Sequence, residues 1–138
     1  MKIKKIGAFE VDVFKHAVYV YIGMPDGVPI NAQAHCSMPA GSQHIELYIR
    51  DKKAFQGYVM HECVHAADFI LDNIGAYMGT DANSSEIRAY LAEYIFCKTE
   101  CVLGRMKETS LYKVIKNIKK ENQWHNYIFF LKNLFWKC

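Results

Sequence analysis

The sequence predicts an α+β domain. A small antiparallel sheet, made of an N-terminal hairpin and a strand at 43–50, packs on a central helix; a second helix and C-terminal helices complete the domain. Three observations predict it. Residues 3–22 are rich in Ile, Val, Phe and Tyr and partly alternate, as strands do. Residues 43–50 alternate throughout, with Ile45, Leu47 and Ile49 on one side and His44, Glu46, Tyr48 and Arg50 on the other. That is the period of a half-buried strand. From Asp51 to Asn73 the apolar residues recur at helical intervals instead, which predicts a helix.

Taken in order, residues 6–14 and 17–22 read as two strands that turn near Lys15-His16. Met24-Pro25-Asp26-Gly27 is a turn signal, because proline presets the second turn position and glycine suits the last. An irregular segment with Pro29, Asn31, His35, Pro39 and Gly41 then runs to about Ser42. Asp51 is suited to cap the helix that follows the third strand, and Gly75 to end it. Within that helix Phe55, Val59, Cys63, Ala66, Phe69 and Ile70 form an apolar side, which Val64, Ala67 and Leu71 extend. A helix apolar nearly all round is expected at the centre of a fold. After a loop over 76–82, Asn83 opens a second helix that continues to about Leu103 and stops at Gly104. A basic helix over 108–118, near Lys113, Lys116, Lys119 and Lys120, and an aromatic closing helix over 124–136 are expected to finish the chain.

A chain of 138 residues can bury its own core as one domain, and 51% hydrophobic content excludes a disordered chain. A net charge of +3 is too mild to argue for a nucleic-acid partner. The longest apolar runs fall well short of a membrane span. Met1-Lys2-Ile3-Lys4-Lys5 is followed by no apolar signal region or small-residue cleavage site, so a cytoplasmic location is expected. Cys36, Cys63, Cys97, Cys101 and Cys138 are odd in number and show no framework spacing, which predicts reduced, mostly structural thiols.

The chemistry concentrates in His61-Glu62-Cys63-Val64-His65. Residues four apart share a helix face. Two imidazoles placed so can hold one zinc ion (Zn2+), with the intervening glutamate within reach of its water. A catalytic zinc usually takes three protein ligands. Glu86, 21 positions beyond His65 and in the first turn of the second helix, is the first candidate for the third. The spacing Asn83-x-x-Glu86 is also a capping box, which by itself accounts for a glutamate there. Asp81, Asp68 and Glu93 are the other candidates. Asp68 and Glu93 also suit a supporting role as hydrogen-bond acceptors for a ligand histidine.

This arrangement resembles the gluzincins, the thermolysin-like zinc peptidases, in His61-Glu62-Cys63-Val64-His65 followed by Glu86-Ile87-Arg88-Ala89-Tyr90. It departs from the larger family at Ser85, where an asparagine commonly precedes the glutamate. The stretch His-Glu-Cys-Val-His-Ala-Ala-Asp-Phe is similar to short H-E-x-x-H proteins of tailed phages. Gly79-Thr80-Asp81 is faintly similar to the aspzincins, in which an aspartate replaces the third-ligand glutamate. The resemblance implies peptide-bond hydrolysis, with His61, His65 and Glu86 on zinc, Glu62 as general base, and a protein or peptide as substrate. It also implies an edge strand that aligns the substrate, so His44 and Tyr90 become candidates to steady an oxyanion. Three other readings remain open: a non-catalytic zinc domain that binds a partner protein, a DNA-associated metalloprotease motivated by the lysines at 113–120, and a phage effector.

Overall fold

The computed structural model describes residues 2–76 and 82–108, the side chains of Ala82 and Asn83 excepted. Its elements are strands β1 (Lys4–Val11), β2 (His16–Ile22), β3 (Ala34–Ser37) and β4 (His44–Ile49) and helices α1 (Gln56–Asn73) and α2 (Ala82–Val102). The α+β class is as expected from the periodicities. The sheet is mixed instead of antiparallel throughout. Its order is β1-β2-β4-β3; β1 and β3 run antiparallel to their neighbours, but β2 and β4 run parallel. The difference comes from β3, which forms inside the segment expected to be irregular. The chain leaves β2, passes beyond the position β4 will take, and returns through β3. β4 then inserts between them in the direction of β2. The interior of the sheet is therefore β2 and β4, and its edges are β1 and β3.

The hairpin joining β1 to β2 turns through a 3-10 segment at Asp12–Phe14, and Lys15 adopts left-handed backbone at φ 52. His16, expected near the turn, is 2% exposed. Its Nδ1–H donates to the Phe14 carbonyl at 2.6 Å, and its Nε2 meets the Asn73 side-chain amide at 2.8 Å. Both ring nitrogens are thus partnered, which makes burial of a polar ring tolerable and ties the hairpin to the last turn of α1.

Val18, Val20, Ile45, Leu47 and Ile49 are fully buried. Burying a side chain of this kind contributes about 1.5–3 kcal/mol. α1 lies against β3 and β4, and α2 against β1 and β2. Gly7 permits the close approach of α2 to β1, since a Cβ there would stand 2.6 Å from Val102 Cγ1. The alternate face carries Tyr19 stacked on His44 and Tyr21 stacked on Tyr48, with ring centroids 5.0 and 4.9 Å apart.

α1 starts at Gln56, not at Asp51. Asp51 Oδ1 accepts from Lys53 N at 2.6 Å and its carbonyl accepts from Ala54 N at 3.2 Å. The residue read as a helix cap instead closes a local turn, the competing use of the same short side chain. Both helices stop where glycine predicted. Gly75 and Gly104 have φ 70 and 73, and Ala76 N and Arg105 N reach back to the carbonyls of Leu71 and Glu100, each at 2.9 Å. This is the left-handed C-terminal cap that favours glycine.

Met1–Arg105 and Met106–Cys138 separate as two compact units. The closing helix expected over 124–136 lies outside the described residues, as does the basic helix over 108–118 apart from Glu108. Among the described residues no helix is long and apolar enough to cross a membrane, and Cys36, Cys63 and Cys97 are free thiols.

Candidate functional site

α1 buries Val59, Cys63, Ala66, Ala67, Ile70 and Leu71. These residues point at the sheet and at α2, whose inward face carries Ile87, Leu91, Ala92 and Ile95. The remaining arc of α1 is open. Phe55, read as part of the apolar side, is 71% exposed, and His61 and His65 are exposed as well. α1 therefore packs on the sheet and α2 with one side and leaves the other exposed. Burial cost does not explain its histidines.

Their geometry is more informative. His61 Nε2 and His65 Nε2 are 3.1 Å apart, and the rings meet edge to face at 84° with centroids 4.7 Å apart. The one-turn spacing puts both rings on one face, and both turn the same nitrogen toward a common point. Two neutral imidazoles can share one hydrogen there, or both lone pairs can point at one cation. Among the described residues, the only hydrogen bond to either ring is the one between them.

Glu62 is half-buried on the neighbouring arc. Its carboxylate is felt on β3: the Cys36 thiol is pushed up first by burial, then by the negative charge of Glu62, then by Cys63. α1, which carries the glutamate, packs against that edge strand. Cys63, inside the motif, points inward. Burial raises its thiol most, a hydrogen bond with Thr99 lowers it, and Glu100, Glu62 and Cys97 raise it further. A buried thiol held protonated in this way is a packing group.

The other candidates are scattered more widely. Glu86 is exposed and lies one turn into α2, not in its first turn as expected, because the helix begins at Ala82. Asp68 is committed elsewhere, because Arg88 Nε and Nη2 donate to its two oxygens at 2.6 and 2.8 Å. That bond is the main reason the Arg88 guanidinium is raised. Asp68 follows His65 by three residues and Arg88 follows Glu86 by two, so the fork draws the Glu86 turn of α2 against the His65 end of α1. Glu93 is exposed and adds negative charge beside Cys97. Asp81, His125 and the Asn83 side chain of the capping box lie outside the described residues. Among the described residues no group of three or more His, Cys, Asp or Glu converges on one metal position. The chain thus fits two of the three ligand positions of a catalytic zinc in its described geometry, with Glu86 on the adjoining helix turn.

His44 and Tyr48 lie on the sheet face away from α1. His44 stands 3.6 Å from Glu46 and stacks on Tyr19, and the Tyr48 hydroxyl donates to Glu46 at 2.8 Å. His44 also belongs to an interior strand, so the edge beside α1 is β3. The sequence reading missed this edge and the exposed arc of Phe55 and Tyr58. The wheel positions 58, 61, 62 and 65 already shared a face and were the available signal.

Comparison of the chain with family models, with curated proteins and with solved structures returned no match.

Proposed function

We propose that this protein is a zinc-dependent peptidase, with His61 and His65 as metal ligands, Glu86 as the third ligand and Glu62 as general base. The observation that carries the reading is the convergence of the two Nε2 atoms at 3.1 Å on an exposed helix face, next to a glutamate on the helix that packs against an edge strand. A zinc ion bound there supplies Lewis acidity toward a water molecule and the scissile carbonyl. Glu62 takes the proton of the attacking water on a carboxylate oxygen and delivers it to the leaving amine nitrogen. No hydrogen bond to another described residue competes for that carboxylate. β3 ends the sheet, and an extended substrate can align on such an edge through main-chain hydrogen bonds.

Bound metal per chain, measured by mass spectrometry after zinc is supplied, tests the site. The native protein should carry about one zinc and His65→Ala none, as expected when one of three ligands is removed. Glu62→Gln should keep the zinc and lose cleavage of a peptide mixture. A native chain that takes up no zinc would sink the reading.

A further inference from the structure

Val18, Val20, Ile45 and Leu47 are fully buried on the sheet face that meets α1 and α2. The outward positions of the same strands carry a different surface, and among the described residues neither helix lies on it. Glu46 is at its centre, because β4 is an interior strand and Glu46 falls between the outward positions of His44 and Tyr48. The rings around it form two stacks. Tyr21 stacks on Tyr48, its direct partner across the strands. Tyr19 is the direct partner of Glu46 but stacks on His44 instead, one pleat away. The stacks therefore part around the carboxylate. The Tyr48 hydroxyl donates to Glu46 Oε2 at 2.8 Å, and His44 Nε2 stands 3.6 Å from Oε1. A carboxylate has about four acceptor positions, so Glu46 keeps capacity, and its side chain is 23% exposed. Its charge also reaches the Tyr21 phenol, which is raised first by burial and then by Glu46.

The face already holds a cation. Lys5 Nζ stands 3.5 Å from the centroid of the Tyr19 ring, and the electron-rich face of an aromatic ring attracts positive charge. The outward strand positions carry one lysine, Lys5, against two glutamates, Glu10 and Glu46, although the whole chain is +3. We infer that this face docks a basic segment of a partner protein, with an arginine guanidinium of that segment on the Glu46 carboxylate between the two ring stacks. A guanidinium is planar, pairs with a carboxylate through two parallel N–H groups and lies well against aromatic rings. A lysine ammonium offers neither the plane nor the fork. A phosphate backbone would meet Glu46 and Glu10 as like charges, which sets nucleic acid aside. The surface lies across the sheet from α1, so the inference stands whether or not the histidines bind zinc.

The test is calorimetric titration of the full chain with short peptides in which glycine alternates with arginine, lysine or glutamate. The arginine peptide should bind most tightly, the lysine peptide more weakly and the glutamate peptide not at all. Added salt should weaken the arginine peptide, since the pair is partly exposed. Glu46→Gln keeps an oxygen for the Tyr48 hydroxyl and should weaken the arginine peptide about tenfold. Tyr21→Leu provides a second variant that keeps an apolar side chain. It should narrow the gap between the arginine and lysine peptides by removing the ring face. No binding of the arginine peptide overturns the inference, as does arginine binding that survives Glu46→Gln. Tighter binding of the glutamate peptide or of oligothymidylate overturns it as well. If the chain self-associates in sedimentation and Glu46→Gln separates the copies, the face is a contact between copies and the arginine partner is overturned.

Discussion

At the start of α1, Gln56 Nε2 donates to Glu100 Oε2 at 2.7 Å. Arg105 Nη2 donates to Glu100 Oε1, and its Nη1 donates to the carbonyl of Ala54. Glu100 is fully buried, and both of its oxygens are taken. Further along the same helix, His61 and His65 are exposed and face each other through the same ring nitrogen. In the first cluster the protein supplies almost every partner; among the described residues Arg105 Nε is the one buried side-chain polar atom without one. In the second, among the described residues, the rings have only each other. The contrast separates a polar cluster that holds the fold from one that leaves its coordination available. The Glu100 cluster clamps the turn before α1 to the end of α2, which steadies the helix that presents the histidines.

The comparison can be broken most directly by removing one member of each cluster. Glu100→Ala leaves the part-buried Arg105 guanidinium and the Gln56 amide without their carboxylate partner, and should cost about 1.5–3 kcal/mol in urea unfolding. His61→Ala in zinc-free protein should cost under about 0.5 kcal/mol, as at an ordinary surface site. Equal losses would erase the distinction. Added zinc should close most of that gap. At a free zinc concentration about 100-fold above Kd, the native chain should gain about 2.7 kcal/mol, and His61→Ala should gain nothing. Calorimetry of both proteins with and without zinc reads this directly.

Glu86 and Arg88 sharpen the comparison at smaller amplitude. Arg88→Met removes an exposed ion pair and should change zinc-free stability by no more than about 1 kcal/mol. Glu86→Ala should leave zinc-free stability within about 0.5 kcal/mol and still weaken zinc binding. Unchanged zinc affinity in Glu86→Ala would return that residue to its capping role. A pH-dependent effect lies on the opposite sheet face. Burial, the hydrogen bond to Glu46 and the charges of Glu46 and Tyr21 push the Tyr48 phenol up to about 12 from 10.0. A phenol raised on folding stabilises fully below its unfolded value, and that stability is lost as pH rises through the folded value. Unfolding should therefore ease between about pH 10 and pH 12, and Tyr48→Phe should flatten that slope.

Much of this architecture was legible locally. Ile45, Leu47 and Ile49 alternate because the strand period is two, and all three are buried. Gly75 and Gly104 announced the helix ends because left-handed backbone favours glycine. Where reading failed, one short side chain or one short strand had two uses. Asp51 can cap a helix or close a turn, and its neighbours decided for the turn. Ala34–Ser37 is too brief for periodicity to distinguish it from the loop around it, and missing it hid the parallel pairing of β2 with β4. His16 gave no sign of burial, because its partners are a nearby carbonyl and an amide far along the chain, Asn73.

By itself the sequence determined that two histidines share one face of α1 with a glutamate beside them, since helical spacing is a property of the local chain. It also determined which strand residues face inward. Which arc of α1 stays in water, which strand is the sheet edge and how Asp68 is used were decided only by tertiary structure. Each depends on groups distant in sequence: the packing of α2 on α1, the insertion of β4 beside β2, and the reach of Arg88. No local periodicity encodes those choices, because they follow from what each surface finds to pack against.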